Sequence, residues 1–294
     1  MTRRLLPSCL AAAAVLAAPP LRADEQMTWL MSDFPPITIP VDGAPTTGIA
    51  DQIVRYLARH WGHDDHRYVY ANSKRTWLML ERGSQACFAA ALRTPERERT
   101  AYFSNTSLVP PPVLIVRADM LPSLPLNAAG EVVLAQLLAR RAARGAIVEN
   151  RSYGPQLDAM LAQHPEANLE KTAIGDYGRN VLLMVARGRA DYTFDYDFAL
   201  AYGQSLQAEL AQLRTVAIAG NAQAVLAGVA CPRTPWGRRM IRKIDSILGT
   251  PAGADMLMRA QDTWLTPAGK QRYQSQMAAF QRLRSKPGAE ADYR

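Results

Sequence analysis

The stretch 83–104, GSQACFAAALRTPERERTAYFS, constrains the fold more than any other part of the chain. Its unbroken apolar run, Ala86–Leu92, lies between a Gly-Ser turn and a dense cluster of charges. A parallel strand buried on both faces reads this way, whereas a half-exposed strand alternates. Ligands in open α/β sheets collect outside the carboxyl ends of strands, so Arg93, Thr94, Glu96 and Arg97 fall at a candidate binding rim. The same charges would also suit a solvated loop, and the choice depends on what surrounds them.

Upstream, the apolar segment MTWLM ends in Ser32-Asp33-Phe34-Pro35-Pro36. The prolines stop strand pairing and leave Phe34 on the rim. Residues 48–61 carry Ile49, Ile53, Val54, Leu57 and Trp61 at helical spacing, with Gly62 as the stop. A strand over 68–71 runs into Asn72, and Ser73 is the expected cap of a helix reaching Glu81. Asn72 and Arg75 then sit at the positive end of that helix, where an anion between Arg75 and Arg97 is plausible. With the opening stretch this makes a strand-helix-strand-helix-strand unit.

Three prolines in 109–119 mark a crossover into a second α/β run. Helices are expected over 131–144, 154–163 and 177–187, and strands over 146–149, 169–174 and 190–194, implying another mainly parallel sheet. Asn150-Arg151-Ser152-Tyr153 joins a strand to a helix, an arrangement of amides and hydroxyls that suits an anion. Asp195 closes the last of these strands and also suits a helix N-cap. A return strand follows over 224–230, then a helix starting at Thr234 or Pro235 whose Arg238, Arg239, Arg242 and Lys243 read as a solvated face. The chain ends in a helix over 267–283 and a tail, 285–294, without apolar periodicity and expected to be loose.

Composition narrows the class. The 294 residues are 48% hydrophobic and 20% charged, ordinary for a globular chain with room for two domains. Arg3, Arg4, an apolar core over 10–18 and the Leu21-Arg22-Ala23 tripeptide read as a secretory signal, 1–23, cleaved before Asp24. Cleavage lowers the net charge from +8 to +5. That excess has no aromatic-basic interleaving, so nucleic acid is not an expected partner. No further apolar run reaches the roughly 20 residues of a membrane span. His60, His63, Asp64, Asp65 and His66 form a tempting metal cluster, but they span a helix end and a turn, and no metal or other cofactor is expected. Cys87 and Cys231 remain in the mature chain, either as a disulfide or as two buried thiols. Neither has the His or CxxC partner that thiol catalysis needs.

A strand followed by Thr94-Pro95-Glu96-Arg97 and then Tyr102-Phe103-Ser104 resembles the signature of periplasmic solute-binding proteins of the polar amino-acid type, solute-binding family 3. The nearest pattern is a poorly characterised subgroup with D-F-P-P, C-F-x-x-x-L-x-T-P-E-R and C-P-x-T-P-W-G motifs, matched from Asp33, Cys87 and Cys231. The resemblance implies a two-lobed, type II periplasmic-binding-protein-like α/β fold, each lobe a mainly parallel sheet flanked by helices, joined by a two-strand hinge. Lobe 1 would comprise 24–113 and 228–284, and lobe 2 would comprise 114–227. It also implies that Arg97 grips a ligand carboxylate through its planar fork, that Phe34 stacks on the ligand, and that Asp195 receives an α-amino group. Asn72, Arg75, Ser152 and Tyr153 complete the expected site. Because the two cysteine strands would be neighbours, the resemblance implies a Cys87–Cys231 disulfide.

The implied function is capture of an amino acid or related carboxylate in the periplasm by a monomer, for an ABC permease, with no bond made or broken. Two departures matter: Leu92 replaces a hydroxyl donor two residues before the motif threonine, and Gln85-Ala86 replaces an aspartate before the third strand. An apolar or aromatic acid, a peptide fragment or a different anion would tolerate Leu92 better than an α-amino acid would. A sensory binding protein reporting to a receptor is the first alternative. A periplasmic enzyme resembling cyclohexadienyl dehydratase is the second, with Glu96, Asp195 and Asp197 as its only nearby acid-base candidates.

Overall fold

A computed structural model describes residues 26–62, 65–172, 178–289 and 293. The expected signal segment, His63 and Asp64 of the candidate metal cluster, and 173–177 at the join of an expected strand and helix lie outside the described residues.

The first sheet takes β1 (Met27–Met31), β4 (His66–Tyr70), β5 (Ala86–Leu92), β6 (Ala101–Val109) and β12 (Val225–Pro232) in the order β4-β1-β5-β12-β6. The second takes β7 (Val113–Arg117), β8 (Gly145–Val148), β9 (Leu169–Thr172), β10 (Tyr192–Asp195) and β11 (Leu213–Val216) in the order β11-β7-β10-β8-β9. A two-strand flap, β2 (Pro40–Val41) and β3 (Ala44–Pro45), follows β1. Both sheets are mixed rather than mainly parallel. β4-β1-β5 and β10-β8-β9 run parallel, while β12 is antiparallel to β5 and β6, and β7 to β10 and β11. Strands that arrive from the other lobe enter from the opposite end, which reverses their direction.

Period-two packing splits each sheet between two cores. Trp29 and Met31 of β1 face α1 (Ile49–Arg59), α8 (Pro235–Leu248) and α9 (Pro251–Asp262), whereas Leu30 faces α2 (Ser73–Glu81) with Phe88 and Phe103. In the second lobe Leu114, Val116 and Phe194 pack with α4 (Leu134–Leu138) and α5 (Pro155–Ala162), while Ile115 packs with α6 (Arg179–Ala186) and Leu200 of α7 (Asp197–Leu206). The expected 131–144 helix shrinks to five residues because Val132 is drawn into bridges with Leu126 and Ile218, and Ala143 closes a turn on Arg140.

Helix starts share one device. In α3 (Pro95–Thr100), α8, α9 and α10 (Pro267–Arg284) a threonine precedes proline, and its hydroxyl accepts from the amide three residues on. At α8 only glycine fits that third position, since a Cβ on Gly237 would meet the Pro232 oxygen at 1.9 Å.

The chain crosses between sheets at 110–112 and returns through 217–224; Asn221 ties the two segments by donating to the Pro112 oxygen at 2.9 Å. Cys87 and Cys231 face each other across β5 and β12 and are joined, closing a sequence separation of 144. Among the described residues of the expected tail, Gly288 donates to Asp245 Oδ2 at 2.6 Å, and Tyr293 is buried in the first lobe's core.

Candidate functional site

The carboxyl end of β5, the loop after β1 and the loop after β8 converge between the sheets. A small, mostly apolar cavity of about 60 Å³ lies there, lined by Phe34, Ile37, Ile53, Phe88, Leu92 and Val109 among others. A larger cleft of about 730 Å³, lined by Trp77, Leu78, Glu81, Glu96 and Asp158 among others, adjoins it. Arg97, Arg151 and Ser152 border both spaces and form the neck between them.

Arg97 comes from the first lobe. Thr94 caps α3 through the Arg97 amide, and the guanidinium is held by the Leu92 carbonyl (Nη1 to O, 3.2 Å) and by the Trp77 ring, 4.5 Å from its centroid. Arg151 comes from the second. Asn150, at φ 58°, turns the chain after β8, and the Arg151 side chain runs inward to Asp195 at the end of β10, with Nη2–Oδ1 2.5 Å and Nη1–Oδ2 3.3 Å. Both side chains are almost fully buried, at 4% and 3% exposure. Burial works against the Arg151 charge, but the Asp195 carboxylate more than offsets this and holds the guanidinium above its ordinary pKa. Phe34, Tyr153 and Tyr196 enclose it, with ring centroids 4.4, 4.8 and 5.7 Å away.

Three of the seven expected site residues, Phe34, Arg97 and Ser152, meet at the inner cavity. The other four stand elsewhere. Asn72, rather than Ser73, caps α2, accepting from the Arg75 amide at 2.9 Å. Ser73 instead reaches across the cleft to donate to the Asn150 carbonyl at 2.7 Å. Arg75 is exposed and borders neither space. Tyr153 is buried in the second core, its hydroxyl accepting from the Val148 amide at 2.9 Å; burial pushes its pKa up to about 12. Asp195 is committed to Arg151 and to the Tyr196 amide, because the loop after β8 carries a guanidinium onto it. Sequence reasoning passed over Arg151 and Trp77 as site residues. A basic residue directly after a strand was the available signal for the first; for Trp77 its place on the first exposed turns of α2 was the only one.

Asp158 lies on the outer side of the neck and accepts from the Ser152 hydroxyl (2.5 Å) and the Tyr153 amide (2.8 Å). Burial raises its pKa, with these bonds and Arg97 opposing. His60 and His66 diverge: His60 bonds to the Tyr56 carbonyl, and His66 Nδ1 accepts from Trp29.

Two mixed sheets joined by a double crossover, with a cleft at the join, decide the architecture. The fold is that of the periplasmic binding proteins. A histidine kinase sensor domain with similarity to periplasmic binding proteins superposes with a TM-score of 0.65 at 17% identity, over 82% of this chain and 96% of that one. A structure from work on glutathione import and the cystine ABC importer of Streptococcus mutans gives 0.62 at 13% identity, over 91% and 99%. An ancestral amino-acid-binding protein, a precursor of cyclohexadienyl dehydratase, gives 0.62 at 15%, over 82% and 95%. No family model matches the chain, and no curated protein does. These likenesses establish the two-lobed periplasmic-binding-protein-like fold.

Proposed function

We propose that the protein is an extracytoplasmic solute-binding protein that closes its two lobes on a small carboxylate and presents it to an ABC-type permease. The observation that carries this reading is the neck, where Arg97 of one lobe and Arg151 and Ser152 of the other border both the inner cavity and the outer cleft. An anion bridging them would link the lobes, which is how a ligand can favour a closed form. Ser73–Asn150 and the Lys74–Glu149 pair, 3.8 Å apart, already bridge the cleft. A periplasmic location fits the expected signal segment and the disulfide; among the described residues no helix is long and apolar enough to cross a membrane.

The reading involves no catalysis. Of the three acid-base candidates only Glu96 borders the cleft, while Asp195 holds Arg151 and Asp197 accepts from Thr266 at 2.6 Å. A thermal-shift screen against organic acids, followed by mass spectrometry of the recovered ligand, tests it. Stabilisation of about 2.7 kcal/mol at a hundred times Kd, with the ligand unchanged, is expected. Conversion of the ligand would favour the dehydratase-like alternative.

A further inference from the structure

One helix lays a whole face along the outer cleft. Lys74, Trp77, Leu78 and Glu81 of α2 all line it, and their i, i+3, i+4, i+7 spacing puts them on a single stripe. Seven residues of helix rise by about 10 Å, so the cleft follows α2 for about that distance. The opposite wall comes from the second lobe, where Pro155 and Asp158 lie one turn apart on α5.

The stripe has distinct stations. At the neck the Arg97 guanidinium lies over the Trp77 ring, 4.5 Å from its centroid. Leu78, 41% exposed, adds apolar surface beside that ring. Glu81 is exposed and stands one turn beyond Trp77, about 6 Å further along the helix axis. Thr100 and Asn150 add side-chain groups that pair well with amides. A guanidinium pair, an apolar patch and a carboxylate therefore follow one another along the cleft. The sizes of the two spaces point the same way. The inner cavity, about 60 Å³, holds a few water-sized groups, whereas about 730 Å³ falls in the range of about 300–1,000 Å³ usual for ligand sites. An extended chain advances about 3.3–3.6 Å per residue, so about two to three residues carry an ammonium from the neck to Glu81. A free α-amino acid holds both its charges within about one such step.

Building on the carboxylate-binding reading above, we propose that the ligand is a di- or tripeptide lying along α2. Its C-terminal carboxylate sits at the Arg97–Arg151 neck, its side chains pack on Trp77 and Leu78, and its ammonium pairs with Glu81. Leu78 and Glu81 are specificity-determining residues that favour a peptide over a single amino acid.

Isothermal titration of the mature protein with leucine, leucylleucine and alanylleucylleucine tests this. At least one peptide is expected to bind about 10-fold more tightly than leucine or better, since it buries a further leucine side chain. A smaller gain for both peptides would overturn the proposal and leave the carboxylate reading standing. A C-terminally amidated peptide binding as tightly as the free acid would overturn the carboxylate reading and the proposal with it. Failure of all three ligands would overturn the proposal, and the organic-acid screen decides the carboxylate reading separately. Leu78→Ser is expected to weaken peptide binding about 5-fold or more. In Glu81→Gln the preference for the free over the N-acetylated peptide should shrink about 2- to 5-fold. Unchanged values in both variants, with thermal unfolding still cooperative, would overturn the placement along α2.

Discussion

Replacing Asp195 by Asn removes the carboxylate that the buried Arg151 guanidinium is paired with. The pair is 4% and 3% exposed, its two contacts are 2.5 and 3.3 Å, and the centroids of three aromatic rings lie within 5.7 Å of the cation. Breaking one member of such a pair costs about 3–5 kcal/mol, whereas replacing both with apolar groups is often close to neutral. A domain holds only about 5–15 kcal/mol in all, so Asp195→Asn or Arg151→Met is expected to remove about a fifth or more of the second lobe's stability. The Arg151→Met/Asp195→Leu double variant should recover most of it. Urea denaturation followed by two probes resolves where the loss falls. All five tryptophans, Trp29, Trp61, Trp77, Trp236 and Trp264, lie outside 113–216, so their fluorescence reports the first lobe, while far-ultraviolet circular dichroism reports both. The single variants should move the dichroism midpoint to lower urea ahead of the fluorescence midpoint. A loss below about 1 kcal/mol in each single variant, or additive losses in the double, would refute the idea that the two side chains depend on one another.

Removing the disulfide with Cys87→Ala/Cys231→Ala, which opens a loop spanning 144 residues, is expected to cost about 2–5 kcal/mol, read as a lower urea midpoint in the fluorescence transition. Gly178→Ala would put a Cβ 2.6 Å from Asp195 Oδ2 and 3.0 Å from Arg151 Nη1; a cost of about 1–3 kcal/mol is expected by thermal denaturation. Burial raises the carboxyl pKa of Asp51 and of Asp158 above the ordinary 3.8 in the folded chain. Each therefore contributes stability that is complete below the unfolded pKa and is lost as pH rises through the folded one. The stability of the wild type minus that of Asp51→Asn or Asp158→Asn should accordingly fall between acid pH and neutrality, and a difference that grows over that range would contradict the assignment.

The parts of the fold legible in the sequence are those set by local pattern. Ala86–Leu92 and Met27–Met31 occur with the bounds the sequence suggests, because an unbroken apolar run and a proline stop act within a few residues, while α2 ends at Glu81 as expected but begins one residue early, with Asn72 in the cap position expected of Ser73. The 131–144 helix was cut short by Val132, whose partners at 126 and 218 a local reading does not see. β6 was hidden because its polar Ser104, Asn105, Thr106 and Ser107 obscure a strand that is nevertheless almost wholly buried. Ser104 and Asp245 there bond at 2.7 Å and are both held by Arg284 of α10, another arrangement made over long sequence distances.

The site divides in the same way. Arg97 and Phe34 were legible because each lies within five residues of a strand end. Arg151–Asp195 joins residues 44 apart, and it pairs with Arg151 the carboxylate to which the family resemblance gave an amino-group role. The repeated Thr-Pro start of four helices was present in the sequence and, used fully, would have located α9 as well.

Titration of the organic acid that stabilises the protein most in the thermal-shift screen, into wild-type protein and into Arg97→Gln, tests the central claim most directly. Losing a charge-assisted fork to the carboxylate should weaken binding by about 10- to 100-fold, with the fold unchanged by circular dichroism. Equal affinity in the two proteins would contradict carboxylate capture at the neck between the lobes.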